Sequence, residues 1–300
     1  MSDYFEIIKQ AYWDAGYFFQ MFHQPSWTNY LYWLVGISLA FFLLELARPW
    51  RKNQPKFRKD FWLDAFYMLF NYFLFALIIF SAVSAVVSAL FSDLLGMFGM
   101  ENVVAIRIET WPAWAQLLTV FILRDFIHWN IHRLLHRVPR LWEFHKVHHS
   151  VEQMGFAAHL RFHWIENVVY KTLEFLPLAV IGFSTDSIAI VYLVTLAWGH
   201  FNHANFVLPN FLRRIFRPLR YVFNHPEMHI WHHAREMPAE HRNGMNFGLT
   251  LSIWDWIFRT AYIPGDGRDL DIGISDQKTF PKTFWGQLFF GFRKRGKRSP

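Results

Sequence analysis

The sequence predicts an all-α integral membrane protein: a helical bundle of about four to five membrane segments beneath a histidine-rich helical cap on the cytosolic side. Three observations carry that expectation. Long apolar runs recur along the chain, basic clusters sit just outside them, and histidines at helical spacing follow the later runs. Of 300 residues, 53% are hydrophobic and 20% aromatic, and only 18% are charged. A soluble domain carries nearer a quarter of charged residues. Such a balance fits a chain that meets lipid over much of its surface.

Trp27–Ala47 is apolar apart from Glu45 and long enough to cross a bilayer. A basic segment from Arg48 to Lys59 follows it. Ala65–Leu90 carries no charge and is the clearest membrane segment. Asp93 to Glu109 is a less basic connection. Trp111–Trp129 is apolar again, with Arg124 and Asp125 near its end, and runs into a histidine-rich helix. Val168–Phe183 and Ile188–Phe201, joined by the short turn Gly182–Ser187, predict a hairpin, kinked at Pro177. From Asn210 onward the chain is mixed and reads as a soluble cap that ends in Pro-Gly loops and a basic tail. The expected organisation is a membrane region over 1–110, a catalytic domain over 111–263 and a tail over 264–300. No internal repeat or low-complexity tract is seen.

The formal net charge is +7. The cations cluster at Arg48–Lys59, Arg133–Lys146, Arg213–Arg220 and Arg293–Arg298, beside the apolar runs. That placement follows the positive-inside bias rather than a nucleic-acid footprint, so no nucleic acid partner is expected. With all four clusters on the cytoplasmic side, an even number of crossings separates each pair, and the N-terminus lies outside. The expected location is a bacterial inner membrane, with the histidines facing the cytoplasm. Met1–Gln24 lacks a basic start before an apolar core, so no cleavable signal peptide is expected. The chain has no cysteine, which excludes disulfides, thiolate zinc sites and cysteine-ligated iron–sulfur clusters within it.

Histidine is left as the main transition-metal ligand, and there are 16. Three boxes stand out: His132 with His136; His145 with His148 and His149; His229 with His232 and His233. His200 and His203 form a further pair. Spacings of three and four put side chains on one helix face, and neutral imidazole is a good ligand for iron, zinc and copper. A lone His-x-x-x-His pair means little, but two copies of His-x-x-His-His plus two more pairs point to metal. The boxes supply eight imidazoles, and His200 and His203 make ten. Two five- or six-coordinate ions need roughly that number. His128 continues the face of His132. The roles of His128, His159 and His163 stay open. An all-imidazole set brings no negative charge, so carboxylates should accept the outer ring N–H groups. Asp125, Glu166 and Asp255 are the foremost candidates, with Glu143 and Glu227 behind them. Asp125 is expensive in an apolar helix; an ion pair with Arg124 or Arg133 is its alternative role. No catalytic residue beyond the metal ligands is expected.

At these residues the chain resembles the fatty acid hydroxylase/sterol desaturase superfamily. The likeness runs through Asp125–Ser150, Arg161–His163, His200–Asn205, Pro226–His233, Asn246–Gly248 and Trp254–Thr260, and covers roughly Leu117 to Tyr262. The His-Phe-Asn-His segment is similar to bacterial members related to alkylglycerol monooxygenase. The resemblance implies a membrane core under a cytosolic cap, a non-haem centre of two iron ions (with zinc as a substitute in purified material) and an external electron donor. It implies O2-dependent oxidation of a lipid C–H bond to an alcohol or alkene. Two departures occur: Ile230 follows His229 where many members have Arg, and Arg259 stands where relatives often have Gly. Neither removes a ligand.

There is no Gly-x-Gly-x-x-Gly dinucleotide fingerprint, so electrons must come from outside the chain, from a donor of the cytochrome or ferredoxin type. Arg133–Lys146 and Arg213–Arg220 would dock such an acidic partner, or anchor the chain to lipid heads. Two other functions use the same residue types. A metal transporter would place ligands in mid-helix, whereas these boxes lie at helix ends. A zinc-dependent membrane hydrolase would need fewer histidines and an open water position.

Overall fold

A computed structural model describes residues 3–21, 23, 29–75, 81–100 and 108–292. The described residues are helical, with no strand among them and only isolated bridges such as Pro49 with Phe206 and Ala234 with Ile272.

Helix α1 (Tyr4–Met21) packs on α4 (Ser81–Met97), where the Tyr4 hydroxyl donates to Asp93 at 2.7 Å. Helix α2 (Tyr30–Ala47) is capped by the Asn29 side chain, which accepts from the Leu31 N–H. It is the one helix among the described residues long and apolar enough to cross a membrane. Val35, Leu39 and Leu43 lie exposed along it. The run expected as one span, Ala65–Leu90, contains the end of α3 (Phe61–Leu69), a π-helical turn over Phe70–Leu74 and much of α4; residues 76–80 lie outside the described residues. In the wider π turn Asn71 donates to the carbonyls of Leu160 and Phe162, at 3.0 and 2.9 Å, and ties α3 to the segment below the histidines.

Helix α5 (Ala113–Arg137) is the axis of the fold and packs on α6 (Pro139–His149), α7 (Trp164–Ile181) and α8 (Thr185–His203). It continues the apolar run Trp111–Trp129 without a break into the first histidine box. It ends because Val138 precedes Pro139, which holds Val138 extended and then opens α6 at its first position. The same device starts α10 (Pro226–His232), where extended His225 precedes Pro226. Between them lies α9 (Asn210–Leu219), and two short helices, α11 (Ile253–Ile257) and α12 (Phe284–Leu288), close the cap.

Helices α7 and α8 form the expected hairpin, turned at Gly182 with φ +93° and capped by Ser184. Near the turn they share an apolar cluster with α5 that includes Val120, Leu178, Ile188 and Val191. The described part of the expected tail, up to residue 292, is packed rather than loose. Ile274 and Phe280 join Tyr67 and Val147 in one cluster, and the Leu288 carbonyl accepts from His163 and Trp164. Residues 293–298, the last basic cluster, lie outside the described residues.

Candidate metal centre

Nine of the ten histidines singled out by spacing come together in two groups. His132, His136, His145, His149 and His232 form one; His148, His203, His229 and His233 form the other. Within each, one ring nitrogen per residue lies within 4.8 Å of all the rest. The boxes do not each serve one point. At 100° per residue, positions i and i+4 lie about 40° apart, while i+3 falls about 60° to the other side. His145 and His149 accordingly join the first group and His148 the second. His229 and His233 join the second and His232 the first. Helices α6 and α10 therefore bridge both groups.

The donor chemistry fits cations. All five histidines of the first group bury an Nε2 with no hydrogen-bond partner among the described residues. Buried polar atoms are almost always satisfied, so five such atoms at one point call for a shared partner. Three of the rings are fixed from behind by Nδ1–H donors: His132 to the Phe247 carbonyl at 2.8 Å, His232 to the Met245 carbonyl at 2.7 Å, and His145 to Glu166 at 2.8 Å. In the second group neighbouring Nε2 atoms stand 3.1 to 3.4 Å apart (His229 to His203, His233 to His229, His148 to His203). Nitrogens about 2.1 Å from one ion would lie about 3.0 to 3.4 Å from each other in octahedral or tetrahedral arrangement. The His203 Nδ1–H donates to the Gly199 carbonyl at 2.8 Å.

Burial, and then neighbouring imidazoles, hold His132, His136, His145, His148, His149, His229 and His233 well below the usual histidine range. Burial pushes His232 down to about 4 and His203 to about 3. At neutral pH all are uncharged and their lone pairs are available to a metal.

The remaining candidates are placed as follows. His200 stands outside both groups, with Nε2 against Ser38 and Nδ1 against His159, each at 3.0 Å. His128 stacks on Tyr170 and meets Glu174 at 2.5 Å. His163 caps the start of α7 and donates to Leu288. Glu166 is the one carboxylate of the three that touches a grouped histidine. Asp255 accepts from Trp129, Thr260 and the N–H groups of Phe247 and Gly248, and so holds the Phe247 carbonyl against His132. Asp125 accepts from Thr250, Leu251 and Trp254 and pins the cap to α5. Glu143 pairs with Lys146, and Glu227 with Arg213.

Residues 117–260 match the model of the fatty acid hydroxylase family. The chain belongs to that family. This fatty acid hydroxylase family member is similar to the ornithine lipid hydroxylase OlsE of Rhizobium tropici, 30% identical over 190 residues, which cover 63% of this chain and 54% of the relative. It is similar to the alkylglycerol monooxygenase of Caenorhabditis elegans, 27% identical over 201 residues, 62% of this chain and 36% of the relative. It is also similar to the very-long-chain aldehyde decarbonylase GL1-6 of Oryza sativa subsp. indica, 28% identical over 145 residues, 46% of this chain and 21% of the relative. The chain thus spans about half the length of the first and about a third of the second. No solved structure matches it.

Beside the histidines this hydroxylase-family chain carries an open cavity of about 400 Å³ between α2, α5, α7 and α8. Its walls are mostly apolar, including Phe175, Ile188 and Leu196, and its inner end meets His128, His159 and Phe162. Those residues adjoin the metal groups: the His128 ring lies 6.0 Å from His132, His159 5.3 Å from His203, and Phe162 5.2 Å from His148. One wall is polar. Arg124 donates to Glu174 through Nε and Nη2 at 3.1 and 2.9 Å, and Tyr192 donates to the same carboxylate at 3.0 Å.

Spacing did not reveal Glu174, which lies in an apolar run and meets Arg124 and His128 only across α5 and α7. The carbonyls of Met245, Phe247 and Gly199 carry no residue-type signal at all. Gly248, next to Phe247, lets the chain approach the Leu251 carbonyl, from which a Cβ would stand only 2.4 Å away.

Proposed function

We propose that this chain is an integral membrane enzyme that uses O2 and external electrons to oxidise a C–H bond of a lipid, with two iron ions held by the two histidine groups. The observation that carries the reading is the convergence of nine neutral imidazoles on two points, on a chain of the fatty acid hydroxylase family. His132, His136, His145, His149 and His232 would hold one ion, and His148, His203, His229 and His233 the other. When bound, the ions supply O2 activation, the hard step that no side chain performs. His200, bonded to Ser38 and His159, supports the second group from outside. Asp125, Glu166 and Asp255 position the ligands or the cap and are not reacting groups.

The lipid would enter sideways from the bilayer into the cavity between α7 and α8. Its chain would lie along Phe175, Ile188 and Leu196, with the reacting carbon near Phe162 and His159. The apolar wall excludes water, and the Arg124–Glu174–Tyr192 cluster would meet a polar part of the substrate. The substrate class would be a fatty acyl, sterol-like or ether lipid, and the relatives named for ornithine lipid and alkylglycerol chemistry favour the acyl and ether members of it. The exposed apolar faces of α2, α5 and α8 support a bundle of four to five membrane segments. Its orientation would set the histidine cap on the cytoplasmic side of a bacterial inner membrane. Residues 111–263 would form the catalytic domain, 1–110 the membrane region and 264–300 the tail. A cytochrome or ferredoxin would deliver electrons.

The test is lipid mass spectrometry of cells with and without the gene, combined with metal analysis and Mössbauer spectroscopy of the purified protein. A lipid that gains one oxygen or loses two hydrogens only when the gene is present, and two irons per chain, are expected. Zinc alone with no lipid change would end the reading.

A further inference from the structure

A second cavity, of about 420 Å³, is lined by none of the nine grouped histidines and takes its wall from Arg213, Arg214, Arg217, Arg220 and Arg268, with His225 beside them. Four of these arginines come from α9 and the residue beyond it; the fifth comes from a separate loop. At 100° per residue, Arg213, Arg214, Arg217 and Arg220 fall within about a third of the α9 circumference. Phe211 and Ile215 fall on the opposite side and are 64% and 54% exposed. Carboxylates offset part of the charge: Glu227 lies in the wall and pairs with Arg213 at 3.2 Å, and Asp266 pairs with Arg268 at 3.6 Å. Arg214 and Arg217 have no ion pair among the described residues.

The cavity sits where two apolar helices end. Trp50, three residues past α2, forms part of its wall. The strip that follows α8 is bonded to the same end of α2, with the Val207 N–H donating to the Arg48 carbonyl at 2.8 Å. If α2 crosses the bilayer, this cavity lies at the depth of the lipid heads, and Phe211 and Ile215 face the acyl chains beside it. Guanidinium forks match phosphate oxygens two at a time. A concave group of arginines next to exposed apolar side chains therefore suits one molecule with a phosphate and an acyl tail, rather than a flat protein face.

We propose that this cavity binds the phosphate of an anionic phospholipid, in a site separate from the oxidation cavity. The inference rests on the membrane placement of α2 but not on the oxygenase reading. A zwitterionic choline lipid is disfavoured, because its cation would meet the same arginines.

Native mass spectrometry of the full chain in neutral detergent tests this, with phosphatidylglycerol and phosphatidylcholine supplied together. Wild type should retain phosphatidylglycerol in preference. Arg214→Gln with Arg217→Gln should lower that retention about ten-fold while histidine-bound metal is unchanged. Arg268→Gln, on a different segment, should lower it by itself, which covers the case where the double variant fails to fold. Equal retention in wild type and variants would overturn the proposal. So would loss of the lipid to millimolar inorganic phosphate, which would make this a free-anion site. Unchanged lipid retention with lost binding of an acidic [2Fe–2S] ferredoxin would reassign the face to an electron donor. Release of the chain from membranes by alkaline carbonate would remove the membrane premise, whatever the metal content and lipid oxidation show.

Discussion

At the residue scale, the histidines depend on groups behind them. Glu166 accepts the His145 Nδ1–H and leaves its Nε2 lone pair for a cation. Losing such an outer carboxylate typically costs 10- to 100-fold in metal affinity. Glu166→Ala should therefore weaken metal binding by about that factor in a chelator competition, with product formation falling in parallel; unchanged affinity would remove Glu166 from the centre. His148→Ala should lose most of the second group's metal together with the product. The rings also set a pH dependence. Their folded pKa values lie below the unfolded value of about 6.5, so the unfolded chain binds more protons as pH falls. Stability of the metal-free protein is then full above about 6.5 and is lost as pH falls toward about 4 for His232 and about 3 for His203. Thermal unfolding in detergent between pH 7.5 and 5 should show a falling midpoint, and a flat profile would contradict it.

At the element scale, close approach rather than propensity places the helices. A Cβ at Gly199 of α8 would stand 2.1 Å from the His159 ring, and the Gly199 carbonyl holds His203. Gly199→Ala should therefore cost about 1 to 3 kcal/mol through overpacking and lower the metal content, both readable from one purified sample. The turn after α11 holds a different constraint. Arg259 adopts φ +57°, a left-handed conformation that disfavours a side chain. Gly, which the resembling sequences often place there, fits it without strain. Arg259→Gly should raise stability by up to about 1 kcal/mol, seen as a higher thermal midpoint with activity retained. A lower midpoint would mean that the arginine makes a contact worth more than the strain.

At the scale of the whole molecule, α5 organises both the metal groups and the cavity beside them. It carries Arg124 and His128 on the cavity wall and His132 and His136 into the first group within one continuous helix. The hairpin α7–α8 packs on α5 near its turn, and the cavity runs from a mouth beside Ile188 and Ala189 inward to the histidines. Filling that mouth should separate substrate access from metal binding. Ala189→Trp, at an exposed position in the cavity wall, is expected to lower product formation about ten-fold with metal content unchanged. Unchanged product formation would show that the lipid enters elsewhere.

The sequence by itself determined the helical class, the family and nine of the histidines that converge, because helix periodicity is local and imidazole spacing of three or four survives any packing. It also marked Glu166 as one of the carboxylates able to accept an outer ring N–H. Tertiary structure alone decided how the boxes divide. Spacing alone put each box on one helix face, yet α6 and α10 each lie between the two groups, so position i+3 turns to one and positions i and i+4 to the other. It also separated His200 from His203, since only packing against Ser38 and His159 takes up its two nitrogens. Asp125 was legible as costly but not in its role, because its partners are backbone N–H groups about 125 residues away. Main-chain carbonyls and long-range ion clusters leave no periodic trace, and only the folded chain brings them to the metal groups.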